Sequence, residues 1–347
     1  MNSPTVSVIM AAYKGAPFVG ETIRSVIAQS FTDWELVIVD DCSPDDTLAV
    51  VRGFDDPRIR VLASPMNQGP VKTRNAAMAV ARGRYLAGLD QDDVCLPERL
   101  ARQVAYLDTH DDVVLVATAA DLLEAGRVRR GPQNGETTPE LIRWKLHLGN
   151  PLVWSSVMMR ADVARKLDPI TRPEMLFAED FDLYHRIGAF GRIARIDEPL
   201  LLYRVHPGGV SKAFQQTMFG NAECVLSEVY RPIFGEGAGA AAELISRHLV
   251  QGSAIADRPT LDRMARLLEA LRANVVERFR IDRKNIERID RSISAIWWRL
   301  IRTSVRVGAL PPTVVAHQRP AAVRKQDLAI GDMIVSSVIG GVRRIRF

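Results

Sequence analysis

Three carboxylates fall within four positions at Asp90-Gln91-Asp92-Asp93, directly after the apolar run Tyr85-Leu86-Ala87-Gly88-Leu89. Such a run reads as a buried strand, and residues two apart on a strand share a face, so Asp90 and Asp92 are expected to project together. In an open α/β sheet the C-terminal edge of the strands is where ligands bind. Convergent carboxylates repel each other and are costly to bury unpaired. A hard divalent cation carrying a phosphate-bearing ligand would neutralise them. The competing explanation is a solvated acidic turn that caps the helix starting near Pro97; for an isolated Asp-x-Asp that explanation is the commoner one. Two further acidic sites recur: Asp40-Asp41 at the end of a second apolar run, and Glu179-Asp180 opening a helix, where acids are at home in any case. His206 follows the apolar run Leu200 to Val205 and precedes the turn Pro207-Gly208-Gly209.

The elements that must position these residues alternate. Strands are expected at 6–12, 35–41, 58–62 and 85–90, with helices at 19–29, opening at 45–47, and at 71–81. That alternation means βαβ units and a mostly parallel sheet covered on both faces. A helix at 96–110 and a strand at 113–119 follow. Next come a helix around 139–148, a strand near 155–159, a helix at 179–190 and a last strand at 200–205. Beyond Ser211 the pattern is helical throughout, with 263–307 the longest stretch. The expected division is a nucleotide-binding and catalytic domain at 1–211 and a basic helical region at 212–347. Lys and Arg number 24 against 28 Asp and Glu in residues 1–210, but 22 against 13 in the remainder, so the basic character belongs to the C-terminal part. Three cysteines without metal or pairing spacing point to a reducing compartment. No run approaches the ~18 apolar residues of a membrane span, and the apolar start reads as a strand and not a signal peptide. A cytoplasmic location is the resulting expectation, with peripheral contact at the inner face of the membrane left open.

Six segments carry a resemblance. Val6 to Tyr13, Glu35 to Ser43, Asn67-Gln68-Gly69 with Arg74-Asn75, Asp90-Gln91-Asp92-Asp93, Glu179 to Leu183 and Tyr203-Arg204-Val205-His206 resemble, in order, the family 2 glycosyltransferases. These are inverting, metal-dependent enzymes of the GT-A fold that use nucleotide sugars. The resemblance implies a Rossmann-like, mostly parallel mixed sheet flanked by helices, and a UDP-sugar donor. It implies that Ala11, Tyr13, Asp41, Gly69, Arg74, Asp90 and Gln91 line the donor. Asp41 would accept a hydrogen bond from a ring N–H of the base, and Tyr13 would stack on it. Asp92, with His206, would hold Mn²⁺ or Mg²⁺, which acts as a Lewis acid on the leaving diphosphate. Asp180 would be the general base for the acceptor hydroxyl, with Glu179 second in line. Trp154 is either a sugar platform or a core residue, the latter being the commoner use. The Gln-x-x-Arg-Trp motif of processive synthases is absent, which favours a single transfer. Ile170 to Glu174 stands where the family often has a glycine pair, and the segment after Gly209 is expected to close over the donor.

The C-terminal region resembles nothing recognisable. Its apolar positions from Leu267 to Phe279 and from Ile286 to Ile301 keep helical spacing, with Trp297 on that face and arginines on the remainder. Packing on the catalytic domain, a homodimer helix, or an interfacial membrane contact all fit; the basic tail 342–347 adds to the last. A glycan or lipid-linked acceptor is the expected partner. Nucleic acid lacks a motif. The alternatives to a glycosyltransferase are a haloacid dehalogenase-type phosphatase, whose Asp-x-Asp pattern Asp90 and Asp92 fit, and an inactive nucleotide-sugar-binding module.

Overall fold

Parallel strands buried on both faces read as unbroken apolar runs, and the first two strands are of this kind. In β1 (Val6–Ala12) only Ala11 is not fully buried, and in β2 (Trp34–Asp40) every residue is buried. The computed structural model describes residues 3–132, 135–209, 214–311, 313–314 and 319–323. The chain forms two compact units, 1–139 with 151–218, and 140–150 with 219–347.

The first unit is built on one mixed sheet. After β1 and β2 come β3 (Ile59–Ala63), β4 (Tyr85–Gly88), β5 (Val94–Cys95), β6 (Val113–Glu124), β7 (Arg127–Arg129), β8 (Val157–Arg160) and β9 (Arg192–Val205). Their order is β3-β2-β1-β4-β8-β6-β9-β5, with β7 on β6. Helices α1 (Val19–Ile27), α2 (Thr47–Arg52) and α3 (Pro70–Val80) make the crossovers between the four parallel strands. β2 lies on one side of β1 and β4 on the other, Ile9 pairing with both Val37 and Gly88. That reversal of winding opens a crevice at the C-terminal ends of β1, β2 and β4. This is the GT-A-type mixed sheet expected of the sequence.

Two strands were not anticipated, and two are longer than expected. β6 runs on to Glu124 and pairs along its length with β9, which starts at Arg192. β5 is only two residues, too short to stand out in a sequence, yet Val94 and Cys95 pair antiparallel with Leu202 and Leu201. That pairing folds the end of β9 back against the acidic turn after β4. The unit is completed by α4 (Arg99–Thr109), α6 (Ala161–Ala164) and α7 (Glu179–Ile187). Arg99 is fully buried without a carboxylate. It donates to the carbonyls of Gly88 and Val157, to Cys95 Sγ and to Gln103 Oε1, fastening β4, β8 and α4 together.

The second unit is helical: α5 (Pro139–Leu146), α8 (Gln215–Phe234), α9 (Ala238–Ile245), α10 (Arg258–Arg278) and α11 (Arg283–Arg306). The single long helix expected over 263–307 is interrupted. Arg280 takes a left-handed backbone (φ 48), and Asp282 begins a new helix by accepting the Asn285 N–H. Leu226, Tyr230, Ile245, Leu268, Leu271, Ile289, Ile293, Trp297, Trp298 and Ile301 are buried in it. The tryptophan face is thus occupied by the unit's own packing, which removes it as a membrane-inserting surface. Trp144 reaches Ser292 Oγ at 3.3 Å, and the Tyr230 hydroxyl donates to the His147 carbonyl. The basic tail 342–347 and residues 210–213, which include the expected lid, lie outside the described residues.

Candidate active site

Just before the acidic turn, Gly88 at the end of β4 lets Trp154 close on the strand. A Cβ there would lie 2.7 Å from the indole. Trp154 is buried against β4, with the Arg74 guanidinium 5.1 Å from its ring centroid, so it packs in the core and offers no open platform. The Asp90 N–H donates to Ser155 Oγ at 2.9 Å, which fixes the start of the turn. Gln91 turns back toward β1. Its Oε1 accepts the Tyr13 N–H at 2.9 Å and its Nε2 donates to the Tyr13 carbonyl at 2.8 Å. Gln91 therefore clips the ends of β1 and β4 together, and the Tyr13 ring is left 39% exposed beside Ala11 and Ala12.

Asp41 has a definite occupation. Both carboxylate oxygens accept backbone N–H groups, from Gln68 and Gly69, each at 2.8 Å, while Asn67 Nδ2 donates to its carbonyl at 3.2 Å. Gly69 has φ +86, a conformation side chains disfavour, and leads into Pro70 at the start of α3. Asp41 thus clamps the turn 67–69 against β2. Asp40 accepts the Ser43 N–H at 3.0 Å with one oxygen and keeps its other buried oxygen without a hydrogen-bond partner.

Arg74, on the first turns of α3, joins two acidic segments far apart in sequence. Its Nη2 donates to Asp90 Oδ1 at 2.7 Å and its Nη1 donates to Glu179 Oε1. The side chain is 12% exposed. Burial works against its charge, but Asp90 and Glu179 beside it hold the guanidinium above its ordinary pKa. Glu179 is buried, with its second oxygen unpartnered, whereas Asp180 is half-buried and accepts the Phe181 N–H at 2.7 Å. Their helix is held from behind by Asp182, which pairs with Arg172 and with Arg186. Asn75 pins the loop before it, bonding both the N–H and the carbonyl of Thr171.

Asp92 and His206 meet across 114 residues, Oδ2 to Nε2 at 2.9 Å, because β5 and β9 pair. Burial, and then the charge of Asp90, raise the Asp92 carboxyl above its ordinary value. Asp93 points the other way, accepting the Arg204 N–H at 2.8 Å. Among the described residues no group of three or more His, Cys, Asp or Glu side chains could hold a metal alone. A divalent cation on a diphosphate takes only one or two carboxylates from a protein and completes its shell with phosphate oxygens and water. Asp92, whose charge is disfavoured by burial and by its neighbour, is the kind of donor such a cation relieves, so the residues fit the group.

The structure therefore gathers Arg74, Asp90, Glu179 and Asp180 into one charged network, and links Ala11, Tyr13 and Gln91 at the neighbouring strand ends. Asp92 and His206 pair on the same acidic turn, and Asp41 with Gly69 forms the wall of the turn after β3. Sequence reasoning missed two residues. Arg204, inside a quoted motif, donates to the Asp92 carbonyl at 2.7 Å and to Glu21 at 2.6 Å. Tyr184, four residues after Asp180 and so on the same helix face, is fully buried with an unpartnered hydroxyl. Burial and then Asp180 push its pKa well up, keeping the phenol protonated.

Comparison with known proteins agrees with this architecture. Residues 7–168 match the model of Glycosyl transferase family 2. The putative glycosyltransferase EpsE of Bacillus subtilis is 33% identical over 193 residues, covering 54% of this chain and 68% of that protein. The UDP-Glc:alpha-D-GlcNAc-diphosphoundecaprenol beta-1,3-glucosyltransferase WfgD of Escherichia coli is 36% identical over 107 residues, 31% of this chain and 42% of that protein. Among solved structures, S. aureus TarS 1-349 in complex with UDP-GlcNAc superposes with a TM-score of 0.55 at 19% identity. That alignment covers 98% of this chain and 90% of TarS, a likeness of fold.

Proposed function

The chain belongs to the family 2 glycosyltransferases, and we propose that it moves one sugar at a time from a uridine diphosphate donor to a hydroxyl of a lipid-linked glycan, with inversion, in surface polysaccharide assembly. The observation that carries this reading is the Arg74 bridge, which ties the acidic tip of β4 to the helix bearing Asp180. The donor class is supported by the UDP-sugar in the TarS complex, and the acceptor class by the diphosphoundecaprenol acceptor in the name of WfgD.

In this reading the base lies against the wall formed by Asp41 and Gly69, with Tyr13 and Ala11 beside it. Asp90 faces the ribose, and Asp92 with His206 would hold a divalent cation. When bound, that cation offsets the charge of the leaving diphosphate. Asp180, half-buried at the start of α7, takes the proton of the acceptor hydroxyl as its oxygen attacks the anomeric carbon. The bond from that carbon to the diphosphate oxygen breaks on the opposite face, so the configuration inverts and the nucleoside diphosphate leaves. Arg74 keeps Glu179 and Asp90 from repelling one another, and the neutral Tyr184 phenol borders the base without competing for its proton.

The test is transfer and UDP binding measured in parallel with Mn²⁺. Asp180→Asn should keep UDP affinity while transfer falls on the order of a thousandfold, and Asp92→Ala should lose metal-dependent UDP binding. Full transfer by Asp180→Asn removes the base assignment, and failure of every UDP-sugar to bind with any divalent ion removes the donor class.

A further inference from the structure

One face of α1, extended by the residues that flank it, is turned to the acidic turn. Phe18, Thr22, Ser25 and Gln29 follow each other by steps of four, three and four residues. At ~100° per residue they fall within a sector of about 60°. Three of them bond the backbone around Asp92. Thr22 Oγ1 donates to the Gln91 carbonyl at 2.8 Å, Ser25 Oγ accepts the Cys95 N–H at 3.1 Å, and Gln29 Nε2 donates to the Leu96 carbonyl at 2.8 Å. Thr22 and Gln29 are buried, where an unbonded polar group would be costly, so these bonds fix the segment against the helix. Val19, Ile23 and Val26, each one position further along, pack into the core.

Phe18, at the head of this face, meets side chains. Its ring centroid lies 4.8 Å from that of His206 and 5.0 Å from the Arg204 guanidinium. Arg204 is also committed to the Asp92 carbonyl and to Glu21, and its N–H to Asp93. His206 lies one residue past Val205, the last paired position of β9. The ladder therefore does not set its ring, which meets Asp92 through Nε2 and Phe18 through its face. A cation held between Asp92 and His206 displaces their hydrogen bond, whereas the Phe18 contact uses no ring nitrogen and is kept. We propose that Phe18 is a positioning residue, which aims the His206 imidazole at Asp92 and so presets the pair for a divalent cation. The inference rests on the cation role proposed above for Asp92 and His206.

Mn²⁺ binding by the full chain in the presence of UDP, read from loss of the free-ion electron paramagnetic resonance signal, tests this without transfer. Phe18→Ala should weaken Mn²⁺ binding on the order of tenfold or more, the usual effect of removing a group that orients a metal ligand. Phe18→Leu keeps the bulk and guards against a folding defect; it should fall between the parent and Phe18→Ala. Phe18→Tyr should bind as the parent does. Phe54→Ala, which removes a ring packed on the core just after α2, should leave the affinity unchanged. The sharpest comparison puts Phe18→Ala into a His206→Ala background. Acting through His206, Phe18 should there add a loss of no more than about twofold. A loss of unchanged size in that background, an equal loss in Phe54→Ala, or parent-like affinity in both Phe18→Ala and Phe18→Leu overturns the inference and leaves the cation role standing. Parent-like affinity in His206→Ala, or no Mn²⁺ binding by the parent, overturns both.

Discussion

Arginine does opposite work in the two units. In the sheet unit it is drawn inside: Arg74 lies between Asp90 and Glu179, Arg172 and Arg186 flank Asp182, and Arg99 is buried among carbonyls. In the helical unit Arg291, Arg299 and Arg306 of α11 are exposed, while the core beneath is aliphatic and aromatic. The difference teaches that a cation's role follows from what is deprived of water around it. Buried, it sets the position of carboxylates that would otherwise repel; exposed, it adds field at a surface and little else.

The sharpest way to break that contrast is to remove one arginine of each kind. Arg74→Ala leaves Asp90 and Glu179 close together, one of them buried, and should cost about 3–5 kcal/mol of stability as well as donor binding. Thermal or urea unfolding would measure it, and a cost no larger than that of an exposed site would mean the bridge is not structural. Acid should next separate the units. Burial, and then the charges of Arg143 and Arg278, lower His147 in the helical unit from 6.5 to about 4. Its unfolded form therefore gains a proton first, and the stability tied to its neutral form, complete above 6.5, declines as pH falls toward 4. In the sheet unit burial pushes the Glu35 carboxyl up. The bonds from Ser7, Arg82 and Arg60 outweigh that and bring it to about 2, so its contribution declines only between 4.5 and 2. Each shift corresponds to about 3 kcal/mol. Peptide-resolved hydrogen exchange between pH 6.5 and 4 should therefore show 140–150 and α8 losing protection before β1 and β2; the reverse order would refute it. Arg299→Ala, the exposed counterpart of Arg74→Ala, should shift stability by no more than about 0.5 kcal/mol in either direction.

Much of the sheet unit was legible because its signals are local. Unbroken apolar runs announce β1, β2 and β4, and carboxylates at the ends of β2 and β4 mark the crevice. What stayed hidden depends on contacts across long separations. No spacing rule links Arg74 to Glu179, 105 residues away, and the pairing that brings His206 to Asp92 runs through a two-residue strand. Asp41 was read as an acceptor for a base N–H; that its oxygens also hold two backbone amides is a use that only the path of residues 67–69 reveals. In the helical unit the pattern of apolar and basic positions was visible, but periodicity is the same whether a helix buries its tryptophans in protein or in lipid. The break at Arg280 has no glycine or proline to announce it.

The clamp made by Asp41 has a thermodynamic side. A loop tied to its strand before any nucleotide arrives has already lost its conformational freedom, so that loss need not be charged against binding. Uridine diphosphate should then meet a rigid wall, and the heat-capacity change on association should reflect only the surface it covers, with no added signature of a folding loop.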